Sequence, residues 1–358
     1  MDEDIGATLR LAREAAGMSL SAMAVRTSYS RGYLNNIECG RRRATPDVVM
    51  AYERVLGDDV NRRTLLTGLA GTVVAPMVMS EVLHGAFTDA LGERISVDEW
   101  RYRAEAYGRD YMTLGASELS SRLVGDMVRL QQYTDDPKVW ATAARLMTVY
   151  GKILPANDGS KGAVRWYLLA ANVADRSGDL PTRVWVRGRA ALALAYEAAE
   201  LPTAQLLAEQ AAALSEKPSL GRLNALVAQA HVAGTRGDQQ TAIAALEQAQ
   251  RVFDQAGSYE QISDFAVPEW RFNTFASMLY SRLGNEKLAT QAQETADKTR
   301  PSTLLRFATH IELHRGLMLA KAGDKPAGVE YAQAAFDCLP PEKRSLSLRL
   351  MMSEIERA

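Results

Sequence analysis

The sequence contains little of the material from which disulfide frameworks and metal sites are built. Its 358 residues include two cysteines, Cys39 and Cys338, and four histidines. Cysteines about 300 residues apart exclude a disulfide framework and a four-cysteine zinc site. This usage fits a reducing cytoplasm. We therefore expect a cytoplasmic protein that holds no metal and no other cofactor.

A net charge is also lacking, because 42 basic residues oppose 43 acidic ones and leave a formal charge of −1. Such a chain has no global basic field to hold nucleic acid, so any contact with DNA must come from a local patch. The hydrophobic fraction of 47% and the charged fraction of 24% are those of an ordinary folded protein.

Runs of β-branched residues are scarce, whereas apolar residues recur at helical spacing almost throughout the chain. Gly-Asp and Gly-Asn pairs and prolines separate these segments. The predicted fold class is therefore all-α. We expect short helices in residues 1–57, an apolar linker with one or two helices in 58–97, and a long series of helices in 98–358.

The linker contains an uncharged stretch, Thr64 to Ser80, that follows Arg62 and Arg63. A double arginine before an apolar run resembles a twin-arginine export signal, but this one lies about 60 residues from the amino terminus. As a membrane span the stretch is short, since about 20 apolar residues are needed. We predict a buried linker helix or a dimer contact and no membrane partner, with anchoring or export as the alternative.

Residues 5–57 have the caps and apolar spacing of a small helical bundle. Ser19 and Ser30 are good N-caps for helices that follow them, and Gly17 and Gly40 are residues that end helices. The predicted helices are Ile5–Ala16, Leu20–Arg26, Arg31–Glu38 and a further one from Pro46 to Leu56.

This pattern resembles the lambda-repressor-like (XRE-type) helix-turn-helix family. The residues that carry the resemblance are Arg13, Gly17, Ser19, Met23, Ala24, Ser30, Leu34, Ile37, Glu38, Gly40 and Pro46. The sequence departs from the family at Leu20, where glutamine is usual, and at Cys39, where asparagine is common. The resemblance implies that the third helix enters the major groove of double-stranded DNA. It also implies a structural ion pair between Arg13 and Glu38.

The same resemblance implies a set of DNA contacts. Arginine pairs with guanine and asparagine with adenine, a glycine permits close approach, and the following arginines would contact phosphates. Helix N-termini supply further amide donors. The predicted DNA-binding residues are Ser19, Ser21, Ser30, Arg31, Gly32, Tyr33, Asn36, Arg41, Arg42 and Arg43. Residues 1–57 carry eight basic and seven acidic side chains, so we expect modest affinity per monomer and a homodimer. The alternative is an interaction module that has lost DNA binding.

Four helix-to-helix junctions in residues 98–358 can be laid over each other, at Glu200, Asp238, Asn285 and Asp324. They are 38, 47 and 39 residues apart. Small residues seven apart follow each junction and would let a neighbouring helix approach closely. They are Ala204 and Ala211, Ala242 and Ala249, Ala289 and Ala296, and Gly328 and Ala335, with Pro301 and Pro340 opening the next units. The pattern resembles the tetratricopeptide repeat, whose unit is shorter, so a tetratricopeptide-like α-solenoid is predicted, with one or two further helix pairs in residues 98–199.

The repeat resemblance implies a concave groove lined by the first helix of each pair. The residues placed in it are Arg189, Tyr196, Asn224, His231, Arg271, Arg282 and His310. Asparagine hydrogen-bonds a peptide backbone and arginine clamps a carboxylate. We therefore predict a signalling peptide or an acidic small molecule as ligand, with a solvated helix face as the alternative.

Other segments do not indicate catalysis. His310 and His314 are four apart, but the zinc-protease motif needs a glutamate directly after the first histidine. Residues 151–162 are predicted to be an inter-helix loop. No nucleophile–base–acid set stands out, so no catalytic residue is predicted.

In architecture the chain resembles the bacterial peptide-sensing (quorum-sensing) regulators known as RRNPP proteins. We therefore predict a dimeric transcriptional regulator in which residues 1–57 bind DNA and residues 98–358 sense a ligand and help dimerisation. A repeat scaffold that holds a protein partner, with the DNA-binding domain used for autoregulation, is the alternative.

Overall fold

A computed structural model describes residues 6, 9–10, 13–14, 18–42, 44–45, 47–48, 51–52, 55, 95–133, 136–154 and 159–358. The chain divides into two compact units, Met1–Ser80 and Glu81–Ala358. Every regular element of the described residues is a helix, so the predicted all-α class is confirmed. The apolar stretch from Thr64 to Ser80 lies outside the described residues.

We number the α-helices of the described residues in chain order. They are α1 Leu20–Thr27, α2 Arg31–Glu38, α3 Val97–Thr113, α4 Ala116–Leu130, α5 Pro137–Ile153, α6 Gly159–Ser177, α7 Leu180–Tyr196, α8 Leu201–Leu214, α9 Leu220–Thr235, α10 Gln239–Ala256, α11 Glu269–Arg282, α12 Glu286–Thr299, α13 Leu305–Lys321, α14 Lys325–Asp337 and α15 Leu346–Ile355. Short 3₁₀ turns lie at Gln131–Tyr133 and Pro341–Lys343. Within the described ranges, no helix is long and apolar enough to cross a membrane.

The first unit contains α1 and α2 where helices were predicted. The Ser19 hydroxyl accepts from the Ala22 amide at 3.1 Å, and the Ser30 hydroxyl accepts from the Tyr33 amide at 3.2 Å, which confirms both caps. The predicted helices before α1 and after α2 fall partly on residues that are not described, and the described residues within them are helical. A small apolar core joins these segments, and it consists of Leu9, Met23, Leu34, Ile37, Val48, Tyr52 and Val55.

The second unit is a series of helix pairs, with α7/α8, α9/α10, α11/α12 and α13/α14 as the predicted repeats. Glu200, Asp238, Asn285 and Asp324 are the N-caps of α8, α10, α12 and α14, so the predicted junctions are confirmed. Glycines with φ of 82°, 69° and 103° precede the last three caps and turn the chain. Helices α3 to α6 supply two more pairs ahead of these repeats.

The small residues of the repeats allow close helix contacts, as the spacing predicts. Seven of the eight predicted positions are buried, and Ala335 is half-buried. The tightest approach joins α7 to α9, where a Cβ on Gly188 would lie 2.1 Å from the carbonyl oxygen of Gly221. A similar contact joins α13 to α14, where a Cβ on Gly328 would lie 2.5 Å from the carbonyl oxygen of Gly316.

One connection is longer than the others and accounts for the 47-residue spacing. Twelve residues, 257–268, link α10 to α11, whereas five residues link α8 to α9 and α12 to α13. The long connection folds into the body of the unit. The Asp264 amide donates to the carbonyl of Gly108 in α3 at 2.8 Å, and the ring of Phe265 packs on Trp185 with 5.2 Å between centroids.

The predicted loop at residues 151–162 is wrong at both of its ends. Gly151 and Lys152 lie in the last turn of α5, and residues 159–162 begin α6. The first end is closely packed, since a Cβ on Gly151 in α5 would lie 2.6 Å from the ring of Tyr167 in α6. The glycines indicated a loop, but tertiary packing outweighed the low helix propensity of glycine.

The close contact of α7 with α9 generates a stability prediction. Gly188→Ala places a methyl group against the backbone carbonyl of Gly221 and should destabilise the protein by about 3 kcal/mol, the upper end of overpacking effects. Gly32→Ala is the control, because a Cβ there meets no atom within 4 Å. Urea unfolding monitored by circular dichroism should show a lowered midpoint for the first variant alone. An unchanged midpoint for Gly188→Ala would contradict the close packing.

Candidate DNA-reading helix and candidate ligand cavity

Helix α2 has one buried face and one exposed face. Leu34 and Ile37 are buried in the core of the first unit, whereas Arg31, Gly32 and Asn36 are exposed. The space beside Gly32 is open to 4 Å around a built Cβ. Three of the four predicted base-facing residues therefore lie on the outward face, and Tyr33 is half-buried beside them.

The predicted phosphate-contact residues surround this face. Ser19, Ser21, Ser30, Arg41 and Arg42 are exposed, and Arg43 lies outside the described residues. The guanidinium of Arg42 stacks 4.6 Å from the ring centroid of Tyr33. Within the part of the chain that the structure describes, no side chain pairs with Arg31 or Arg41. The outward face therefore presents cations that no acid of the described residues engages.

A buried ion pair fixes the orientation of α2. Arg13 donates through Nε and Nη2 to the two carboxylate oxygens of Glu38, each at 2.7 Å, and the Tyr52 hydroxyl donates to the same carboxylate at 2.7 Å. Nη1 of Arg13 donates to the carbonyl of Met18 at 2.8 Å. The pair implied by the family resemblance is therefore confirmed. Because a charge left without its partner in a core is costly, this network ties the end of α2 to the segments on either side.

The seven predicted ligand residues of the second unit are all buried. Four of them, Arg189, Tyr196, Arg271 and His310, line one cavity of about 60 Å³, whereas Asn224, His231 and Arg282 do not line it. The full lining is Tyr111, Lys152, Arg189, Leu192, Ala193, Tyr196, Glu197, Arg271, Thr274, Phe275, Arg306, Phe307, His310, Ser345 and Ser347. The cavity thus draws on α3, α5, α7, α11, α13 and the start of α15.

Arg282 serves a structural purpose instead. It donates through Nε and Nη2 to the Glu354 carboxylate in α15, each at 2.8 Å, and Nη2 also donates to the carbonyl of Tyr196 at 2.6 Å. Nη1 lies 3.0 Å from Nδ1 of His231. These contacts attach the carboxy-terminal helix to the inner helices α7, α9 and α11.

The carboxylate of Asp264 lies beside the cavity and gathers cations from three helices. Its Oδ1 accepts from Arg189 at 2.9 Å, from Arg271 at 2.6 Å and from the Lys152 ammonium. Asp264 is 1% exposed. Burial opposes its ionisation, but the charges of Arg189, Lys152 and Arg271 outweigh burial and hold the pKa of Asp264 well below its usual value.

Two buried guanidinium donors at the cavity have no partner. Nε of Arg189 and Nε of Arg271 are enclosed and make no hydrogen bond. A further cation, Arg306, donates to the carbonyl of Tyr111 and lies 4.6 Å from the centroid of the Tyr111 ring. Buried polar atoms without partners are rare and costly in folded proteins, and Oδ2 of Asp264 also lacks a partner, so the cluster beside the cavity is incompletely hydrogen-bonded.

Glu197 also lines the cavity and is an acid that can offset the charge of these cations. Burial raises its pKa to about 7, against the opposing influence of the charges on Lys152 and Arg189 and of a hydrogen bond with Ser347. Near neutral pH this carboxyl is therefore only partly ionised. The cavity consequently carries more positive charge than its acids neutralise.

The buried histidines form a neutral network rather than a cation site. The Tyr196 hydroxyl lies 2.9 Å from Nε2 of His314 and 3.3 Å from Nδ1 of His310, and Ser277 Oγ lies 2.9 Å from Nδ1 of His314. Burial lowers the pKa of His310 to about 3 and that of His314 well below its usual value. Among the described residues, no group of histidine, cysteine and acid side chains is placed to hold a metal.

Tyr111, Lys152, Glu197, Asp264 and Arg306 were not identified from the sequence as site residues. A usable signal was present for Asp264, because the 47-residue spacing marks the insertion that carries it. Nothing in the sequence pointed to Lys152, because the repeat alignment places no residue of α5 in the groove.

Comparison with known proteins identifies one domain in the chain. Residues 4–66 match a family described as a helix-turn-helix domain. No curated protein and no solved structure matches the chain. The match and the exposed face of α2 support a DNA-binding regulator built from a helix-turn-helix domain and a helical, repeat-like body.

The raised pKa of Glu197 generates a pH-dependent prediction. The pKa of Glu197 is about 7 in the folded protein and 4.5 as an ordinary carboxyl. Ionisation of Glu197 therefore lowers the stability of the folded state as pH rises from about 4.5 through about 7. Glu197→Gln should therefore exceed the stability of the wild type by only about 1 kcal/mol at pH 5 and by up to about 3 kcal/mol at pH 8. Urea unfolding at the two pH values measures this difference. Equal stability differences at pH 5 and pH 8 would contradict the assignment.

Proposed function

We propose that this protein is a cytoplasmic, homodimeric transcriptional regulator that reads a double-stranded DNA site with α2. Its repeat body would bind a signalling ligand, either a peptide or a small molecule. The observation that carries the DNA role is the outward face of α2, which combines Arg31, Gly32 and Asn36 with no competing partners among the described residues. A helix with this face fits the major groove, where arginine and asparagine distinguish guanine and adenine.

Dimerisation supports this role energetically. Phosphate neutralisation supplies much of the affinity for DNA, and residues 1–57 have a surplus of a single positive charge. The two helix-turn-helix domains of one dimer would bind two half-sites about one helical turn apart. The second contact then benefits from a high effective concentration, which multiplies modest individual affinities.

The cavity of the second unit supports the sensing role. It combines cationic groups, aromatic walls and unpartnered donors, which is the composition of a ligand pocket. A ligand controls DNA binding only if it binds one arrangement of the dimer more tightly than another. We place the ligand beside Arg189, Tyr196, Arg271 and His310, the four predicted groove residues that line this cavity.

Arg31 tests the reading role. Arg31→Ala should lose discrimination at a guanine of the site, at a cost of about 1–3 kcal/mol. Arg10→Ala is the matched control, because Arg10 is an exposed arginine of the same unit that pairs with Glu14. Binding to DNA selected from random fragments, measured for the matched and mismatched site, gives the result. Unchanged discrimination in Arg31→Ala would remove α2 as the reader.

Arg41 and Arg42 test the phosphate contacts. Replacing both with alanine should weaken binding to any sequence and reduce the slope of log affinity against log salt by about 2, because each phosphate contact contributes about 0.9. Arg251→Ala, an exposed arginine of the second unit, should leave the slope unchanged. Fluorescence anisotropy over a salt series is the measurement, and an unaltered slope in the double variant argues against the patch.

A further inference from the structure

We infer that the cavity of the second unit binds a short-chain organic acid, whose carboxylate contacts Arg189 and Arg306 and whose apolar part contacts Phe275 and Phe307. The inference rests on the proposed sensing role of the repeat body and narrows its ligand from a peptide or small molecule to a small carboxylate. Its three supports are charge, free donors and size.

The charge at the cavity is unbalanced. Lys152, Arg189, Arg271 and Arg306 line it, and the carboxylate of Asp264 is shared by three of them. Even without Lys152, whose pKa burial lowers well below its usual value, the three guanidinium groups of Arg189, Arg271 and Arg306 outnumber the two carboxyl groups of Asp264 and Glu197. Buried charges are stable when they are paired, so a bound anion would complete the set.

The free donors point to the same ligand. Arg189 is 6% exposed, donates to Asp264 through Nη2, and keeps a buried Nε without a partner. Arginine binds carboxylates through two parallel hydrogen bonds. Ser345 also lines the cavity, and its hydroxyl, which accepts from the Leu348 amide, can donate to a carboxylate oxygen.

Size and lining favour a small organic ligand over larger or purely inorganic ones. A cavity of about 60 Å³ is smaller than the roughly 150 Å³ cavity that accepts benzene in an engineered lysozyme, so it holds an acid of a few heavy atoms and not a peptide chain. The rings of Phe275, Phe307 and Tyr111 form apolar walls. Such walls favour an organic acid over phosphate, which has no apolar part to desolvate.

The test uses the full-length protein and sodium propionate as the probe. Thermal unfolding is followed with about 1–50 mM propionate, because a ligand that binds the folded state raises the melting temperature with concentration. Propionamide is the neutral isostere, and sodium chloride and sodium phosphate at equal ionic strength control for salt and for inorganic anions. We expect a concentration-dependent rise with propionate alone.

Three variants locate the site. Arg189→Gln and Arg306→Gln should each weaken the apparent affinity for propionate at least about tenfold, the effect of losing a charged hydrogen bond. Arg187→Gln is the matched control on α7, because Arg187 is buried but bonds Asp175 and Gln210 away from the cavity. Circular dichroism checks folding, and Arg306→Gln decides the result if Arg189→Gln does not fold.

The inference is overturned by any of four results: no rise with propionate, an equal rise with propionamide, a rise with phosphate of the same size, or full retention of the rise in the folded Arg189 and Arg306 variants. DNA binding is measured separately by anisotropy. If propionate binds while DNA does not, the regulator proposal fails and the acid site stands. If DNA binds while propionate does not, the acid site alone fails.

Discussion

The buried carboxylate of Asp264 is the contact on which the second unit depends. It accepts hydrogen bonds from Lys152 of α5, Arg189 of α7 and Arg271 of α11, and its amide is held by α3. Helices that are far apart in the chain are thereby tied to one atom. Truncating one member of such a cluster would leave uncompensated buried charge. The packing of the inner helices and the shape of the cavity between them therefore depend on the same cluster.

In each unit a bidentate ion pair fixes the orientation of one helix. In the first, the bidentate pair of Arg13 with Glu38 sets the direction of α2 and leaves its opposite face open. In the second, the bidentate pair of Arg282 with Glu354 holds α15 against the inner helices. Planar guanidinium groups specify angle as well as distance, so each pair fixes the orientation of its helix.

Close packing of small residues makes the repeat body possible. Alanines and glycines bring second helices against first helices, and glycines also bring first helices together, since the contact of Gly188 in α7 with Gly221 in α9 leaves no room for a methyl group. Against this regular background, the twelve-residue connection 257–268 is the irregular element that enters the body and supplies Asp264. The departure from repeat regularity therefore coincides with the chemistry of the cavity, as expected when functional groups are placed on a rigid repeating scaffold.

Local chemistry determined much of this protein directly from its sequence. Helix class, the caps at Ser19 and Ser30 and the four repeat junctions follow from spacing and capping, because each depends on residues within a few positions of one another. The outward residues of α2 were implied by the helix-turn-helix resemblance. The Arg13 and Glu38 pair followed from family resemblance. The cavity did not follow, since Lys152, Glu197, Asp264 and Arg306 are separated by many residues. Tertiary structure alone brought those charges together, and burial then raised the pKa of Glu197 to about 7 and left two guanidinium Nε atoms without hydrogen-bond partners.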